Sequence, residues 1–116
     1  MTAPRKILSV VGTWPNFIKV APIVRALESR DGQFEHMLVH TGQHYDAAMS
    51  DVFFADLKIP PPNVSLGVGS GSHAEQTGAM LQALEPVLIA ERPDWVLVYG
   101  DTNSTLAGAV LSLIHI

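Results

Sequence analysis

Residues 95–105, Trp95-Val96-Leu97-Val98-Tyr99-Gly100-Asp101-Thr102-Asn103-Ser104-Thr105, decide the fold. The first five form a continuous apolar run, which is typical of a strand covered on both faces in a parallel sheet. Asp101 and the hydroxyl residues after it predict a turn that opens a helix. Ligands of open α/β sheets bind beyond the carboxyl ends of the strands. Asp101 is therefore either a helix N-cap or a functional carboxylate, and this stretch alone leaves both interpretations open.

A second strand–turn–helix pattern lies near the amino end. An apolar run over residues 7–11 ends at Gly12, and Pro15 suits a first helical turn because its missing N–H would be unpaired there. Unpaired N–H groups, a helix dipole and the nearby Lys19 predict an anion site. A solvated surface lysine is the alternative interpretation of Lys19. The G-x-G-x-x-G spacing of a dinucleotide site is absent after this strand.

Apolar periodicity predicts an alternation of strands and helices along the chain. We expect strands over 5–12, 36–41 and 94–100 with a short edge strand at 64–66, and helices over 15–29, 45–57, 72–91 and from 102 onward. Pro22 predicts a kink or restart in the first helix, and Ser72 with Glu75 predicts a capping box. Residues 58–63 predict an extended connector. The fold class is α/β, a three-layer Rossmann-like parallel sheet.

Polar residues follow three of these strands. Because parallel strands end at one edge of a sheet, we expect Lys19, Gln43 and Asp101 to open on one rim, beside adjacent strands that end at Gly12, Thr41 and Gly100. Tyr99 is expected in the core.

Composition excludes several classes of function. The net charge of −4, with scattered basic residues, argues against a nucleic-acid partner. No run approaches the roughly 18 apolar residues of a membrane span, and the first apolar run is too interrupted for a signal peptide. The chain has no cysteine, and its histidines lack the spacing of a metal site. We expect a cytoplasmic domain without a metal or cofactor.

Four ordered blocks resemble the non-hydrolysing UDP-N-acetylglucosamine 2-epimerases. The first block matches the family pattern Gly-Thr-Arg-Pro-x-x-x-Lys-x-Ala-Pro, and the blocks are residues 12–22 (Gly-Thr-Trp-Pro-Asn-Phe-Ile-Lys-Val-Ala-Pro), 41–45 (Thr-Gly-Gln-His-Tyr), 69–77 (Gly-Ser-Gly-Ser-His-Ala-Glu-Gln-Thr) and 93–105. The resemblance implies the N-terminal part of a two-domain enzyme of glycosyltransferase-B type, homodimeric at full length. Residues 1–116 would then be a single incomplete N-terminal domain without the C-terminal domain. We interpret the uncapped apolar end of the chain as a truncated reading frame or junction.

The resemblance also implies a reaction and its residues. The reaction would invert C2 of UDP-N-acetylglucosamine, giving UDP-N-acetylmannosamine by elimination and re-addition of UDP. Asp101 matches a family acid/base carboxylate, and Lys19 matches a lysine that assists the nucleotide side. The matching substrate-binding residues are Gly12, Thr13, Gln43 and His44.

One position departs from the family pattern. Trp14 stands where the family has an arginine associated with the diphosphate, and an indole cannot form the two-pronged contact of a guanidinium. Two alternatives to the epimerase therefore stay open. One is a hydrolysing epimerase or another glycosyltransferase-B enzyme acting on nucleotide sugars. The other is an inactive nucleotide-sugar-binding half-domain, which Trp14 and the abrupt end of the chain favour.

Overall fold

The computed structural model describes residues 3–30, 32–43 and 54–115. Within these ranges the elements are β1 (Arg5–Val11), α1 (Trp14–Glu28), β2 (Phe34–His40), β3 (Val64–Ser65), α2 (His73–Glu91), β4 (Trp95–Val98) and α3 (Asn103–His115). Residues 54–57 are also helical, and the rest of the helix predicted over 45–57 lies outside the described residues. All strand pairs are parallel, in the order β3-β2-β1-β4. The parallel sheet and its short edge strand β3 are therefore confirmed.

Helices cover both faces of this sheet. One apolar cluster joins α1 to one face, and it contains Val11, Phe17, Val20, Ala21, Val24, Leu38, Phe54, Ile59 and Tyr99. A second cluster joins α2 and α3 to the opposite face, and it contains Leu8, Val10, Val39, Leu84, Leu88 and Leu111. The alternation of side chains along each strand sends successive residues to these two cores. The predicted three-layer α/β arrangement is confirmed.

One polar row crosses the α1 face of the sheet. Ser9 is fully buried, and its Oγ lies 2.8 Å from the Tyr99 hydroxyl and 2.7 Å from His36 Nε2. Tyr99 is buried as predicted, and the row satisfies a hydroxyl that would otherwise cost free energy in the core. Burial lowers the pKa of His36 and raises the pKa of Tyr99.

The predicted covering of the last strand on both faces is wrong at Trp95. Within the described residues β4 pairs only with β1 and forms an edge of the sheet. Trp95 is 62% exposed, whereas Val96 and Val98 pack against the α2–α3 core. An apolar run identifies a strand but does not distinguish a central position from an edge.

Two helix predictions have different outcomes. Helix α1 runs unbroken through Pro22, so a restart does not occur there, and the alternative of a kink stays a prediction. Proline has no N–H, so the Ile18 carbonyl has no backbone donor from Pro22. Ile18 and Pro22 are both exposed, so water can reach this part of the helix. The capping box of α2 is confirmed, because Ser72 Oγ accepts from the Glu75 N–H at 3.1 Å. No helix among residues 3–30, 32–43 and 54–115 is long and apolar enough to cross a bilayer.

Candidate functional site at the carboxyl edge of the sheet

The ends of β1 and β2 and the start of α3 meet at Gly12. A Cβ atom at this position would lie 2.1 Å from Ser104 Oγ and 2.3 Å from Thr41 Oγ1. Ser104 and Thr41 are both fully buried. A glycine is therefore needed at position 12 so that the Ser104 and Thr41 hydroxyls can approach the end of β1 closely. The strands β2, β1 and β4 are neighbours in the sheet, so the predicted adjacency of their three ends is confirmed.

The amino end of α3 is hydrogen-bonded to Gln43, which lies in the loop that follows β2. The Gln43 Oε1 atom accepts from the Ser104 backbone N–H at 3.2 Å and from its hydroxyl at 2.8 Å. Thr41 Oγ1 lies 2.8 Å from the same hydroxyl. The carbonyl end of the Gln43 amide thus has a structural role, and substrate binding by Gln43 stays a prediction. His44, the other residue of that predicted pair, lies outside the described residues.

Asp101 is exposed at this edge and does not cap α3. Thr102 performs that function, because its Oγ1 accepts from the Thr105 N–H at 3.3 Å and its carbonyl accepts from the Leu106 N–H at 3.1 Å. Within the part of the chain that the structure describes, the Asp101 carboxylate makes no hydrogen bond or ion pair. The capping interpretation of Asp101 is therefore wrong, and the carboxylate is available to a ligand.

Lys19 lies beside the turn that carries Asp101. Its Nζ is 3.2 Å from the position that a Cβ would take on Gly100, which has φ of +80°. A side chain on Gly100 would be strained and would also meet this ammonium group. The predicted common rim of Lys19, Gln43 and Asp101 is therefore observed, with the ammonium group adjacent to the β4–α3 turn.

The predicted anion site at the start of α1 lacks the expected unpaired N–H groups at Gly12 and Thr13. The N–H groups of Gly12 and Thr13 both point to Asn16 Oδ1, at 3.1 and 3.4 Å, so neither is unpaired. Thr13 is 4% exposed, and its Oγ1 has no hydrogen-bond partner among the described residues. The hydroxyl is buried away from the surface, so the start of α1 and the nearby Lys19 supply the positive potential that favours an anion.

Trp14 packs inward from the first turn of α1. It is half-buried against the α1 core, and its ring centroid lies 5.6 Å from that of Phe17. Phe17 meets the His40 ring edge-on at 5.0 Å. His40 is buried, and burial lowers its pKa more than the interaction with the Val11 backbone raises it. Trp14 is thus packed against the core beneath α1 at the one position that departs from the family pattern.

Asn16 is not among the site residues that the sequence predicts, yet its side chain forms more hydrogen bonds than any other described polar side chain of the site. Asn16 is 1% exposed, and its Nδ2 donates to the Tyr99 carbonyl at 2.8 Å. The available signal was an amide at the third position of a helix, where a side chain can reach back to the preceding turn. Among the described residues, no group of three or more His, Asp or Glu is placed to hold a metal ion.

One sequence profile and two relatives that match this chain are described as 2-epimerases of UDP-linked sugars or their homologs. The sequence profile described as UDP-N-acetylglucosamine 2-epimerase matches residues 25–115. A UDP-N-acetylglucosamine 2-epimerase homolog of Methanococcus maripaludis is 53% identical over 90% of this chain and 29% of its own length. The UDP-2,3-diacetamido-2,3-dideoxy-D-glucuronate 2-epimerase of Pseudomonas aeruginosa is 47% identical over 96% of this chain and 31% of its own.

A solved structure matches the fold as well. The Methanocaldococcus jannaschii UDP-GlcNAc 2-epimerase, crystallised with UDP-GlcNAc and UDP, superposes with a TM-score of 0.87 at 46% identity. The match covers 95% of this chain and 30% of that protein. The chain thus spans about a third or less of the relatives it matches. Profile, sequence and structure agree that it belongs to the UDP-N-acetylglucosamine 2-epimerase family.

Proposed function

We propose that this chain supplies one wall of a UDP-sugar site in an enzyme that inverts C2 of a UDP-linked 2-acetamido sugar. UDP-N-acetylglucosamine is the first substrate to test. The observation that carries the proposal is the exposed Asp101 carboxylate, which has no partner among residues 3–30, 32–43 and 54–115, on a rim where Lys19 lies against the adjoining Gly100. The relatives from M. maripaludis and P. aeruginosa support the substrate class, because both names specify a 2-epimerase of a UDP-activated amino sugar.

The proposed reaction needs one base and one cationic region. A base removes the C2 proton, the C1–O bond breaks, and UDP leaves a 2-acetamidoglucal; UDP then adds back to C1 as C2 receives a proton on the opposite face. Asp101 serves as an acid/base carboxylate in this scheme. Lys19 and the positive end of the α1 dipole stabilise the departing diphosphate.

The remaining parts of the proposal concern the whole enzyme. A second domain would close the cleft over this rim and exclude water from the enclosed glucal intermediate. We place the full-length enzyme in the cytoplasm as a homodimer. Gln43 and His44 would contact the nucleotide sugar from the end of β2, with Gln43 using the amide nitrogen because its oxygen is bonded to Ser104.

A chimera tests the proposal. This chain replaces the matching segment of the M. jannaschii UDP-GlcNAc 2-epimerase, and interconversion of the two UDP-sugars is measured together with deuterium uptake at C2. Asp101→Asn should lower turnover by about 10²–10⁴-fold without changing stability, because Thr102 caps α3.

The matched control is Glu35→Gln. Glu35 is exposed near the opposite edge of the sheet, and its contact with Lys6 is a 4.0 Å surface pair that contributes little. The control should retain full activity. A folded chimera without activity, or an Asn variant as active as the control, would contradict the proposed function.

A further inference from the structure

Helix α1, which carries Lys19, and the β4–α3 turn, which carries Asp101, belong to segments far apart in the chain, and one side chain connects them. Asn16 Oδ1 accepts from Gly12 and Thr13 in the β1–α1 turn, while its Nδ2 donates to the Tyr99 carbonyl at the end of β4. The Tyr99 carbonyl directly precedes Gly100. We propose that Asn16 is a positioning residue that sets the distance between the cationic and acidic sides of the rim.

The geometry explains why an amide is suited to this position. An amide offers an acceptor and donors on one short planar group, and this site uses both ends. A carboxylate keeps the acceptor but loses the donor, and it would set a negative charge against the Tyr99 carbonyl. Glutamine keeps both groups but adds a methylene where Asn16 is only 1% exposed, so it would overpack the site.

Charge gives a second reason for asparagine. Asn16 is in the first turn of α1, where the helix dipole favours an anion. A neutral amide leaves that potential to a bound diphosphate, whereas a buried carboxylate would neutralise it from inside the protein. Asn16 therefore affects ligand binding through Thr13 and Lys19 without contacting the ligand. The inference rests on the proposed function only in assigning a UDP group to this rim.

The remaining contacts of Tyr99 show what the loss of Asn16 would release. The Tyr99 carbonyl also accepts from Thr105 Oγ1 at 2.9 Å, and its hydroxyl bonds to Ser9. The tyrosine therefore stays in the core when Asn16 is changed. Loss of the Asn16 hydrogen bonds should therefore move the β1–α1 turn and the β4–α3 turn relative to each other without moving the core. Signals from residues in these turns can then report the change selectively.

The test compares Asn16→Asp with Gln76→Glu in the purified 116-residue chain at about pH 8, where a carboxyl of ordinary pKa is ionised. Gln76 is a matched control because it is also a buried amide bonded at both ends, to Gly69 and Asn103. Two properties are measured: the native-state amide resonances of Gly100 and Asp101 by NMR in this chain, and the dissociation constant for UDP by calorimetry for the same variants in the M. jannaschii chimera.

The expected result is selective. Asn16→Asp should shift the Gly100 and Asp101 resonances, weaken the through-space contact between Lys19 and Gly100, and raise the dissociation constant for UDP about tenfold, as loss of a buried hydrogen bond to the site predicts. Gln76→Glu should change none of these. If the aspartate variant does not fold, Asn16→Ser gives the same comparison without a buried charge.

Other outcomes separate the two proposals. A variant at Asn16 that only lowers the melting temperature, with the Gly100 and Asp101 resonances unmoved, overturns the positioning role. A folded chimera with the wild-type sequence of this chain that does not bind UDP counts against the proposed function, and the NMR resonances then decide the role of Asn16 alone.

Discussion

Gly12→Ala tests the close packing at the base of the site. The added methyl would lie 2.1 Å from Ser104 Oγ and 2.3 Å from Thr41 Oγ1, and both side chains are fully buried, so neither can rotate into solvent. Gly12 does not have a positive φ, so the expected effect is steric and not due to backbone strain. Overpacking of this kind costs about 1–3 kcal/mol.

The hydrogen bonds at this point add to the loss. Moving Ser104 disturbs its contacts with Thr41 and Gln43, and leaving one buried polar group unsatisfied costs about 1–3 kcal/mol. We expect a total loss of about 3–4 kcal/mol, a large part of the roughly 5–15 kcal/mol that stabilises a domain. The melting temperature should fall by about 10–15 °C.

Urea and thermal unfolding followed by circular dichroism measure this loss. Gly69→Ala is the matched control, because a Cβ at Gly69 meets no atom of the described residues within 4 Å. Adding Ser104→Ala to the Gly12 variant should recover about 1 kcal/mol, since it removes the shortest contact. A Gly12 variant within about 0.5 kcal/mol of the control would refute the steric reasoning.

Four further outcomes are expected. Gly78→Ala should raise the free energy of unfolding by about 0.5–1 kcal/mol in urea titrations, because this glycine lies inside α2 with open space around it; no gain would contradict the argument. The free energy of unfolding should fall as the pH drops below about 6.5, because burial lowers the pKa of His36 and His40 and the unfolded chain then binds more protons; His36→Gln should reduce that slope, and an unchanged slope would exclude His36 as its source. Trp14→Arg in the chimera should lower the KM for UDP-GlcNAc about tenfold through a charge-assisted contact with the diphosphate, and an unchanged or higher KM would contradict this. The purified 116-residue chain should not interconvert the two UDP-sugars in a chromatographic assay, because it spans about 30% of its relatives and its rim is open; measurable turnover would disprove this expectation.

The sequence predicted the features that depend on local pattern. Turn residues after apolar runs located the ends of β1, β2 and β4, and parallel topology placed those ends at one edge. The Ser72 and Glu75 pair predicted the start of α2 because both partners lie within one turn.

Features that depend on distant partners could not be predicted in this way. The Gln43 amide is hydrogen-bonded to a residue more than 60 positions away in the chain, and the Asn16 amide to one more than 80 positions away. No local spacing encodes such contacts. The exposure of Trp95 depends on which strands lie beside β4, and α1 continues through Pro22 against the local tendency of proline to end a helix. Asp101 is ambiguous in the sequence because Asp and Thr are both good N-caps, and the structure shows that Thr102 caps the helix.

The long-range capping of α3 has a consequence for the order of folding. Helix α3 is held at Ser104 by side chains that precede it by 61 and 63 residues, so its first turn cannot be completed before β2 has docked beside β1. On the ribosome the rim would therefore form only after residue 104 has emerged, although most of its side chains are made earlier. Hydrogen exchange at the Ser104 amide should then follow global unfolding of the sheet and not fraying of the helix, which makes this one amide proton a reporter of site assembly.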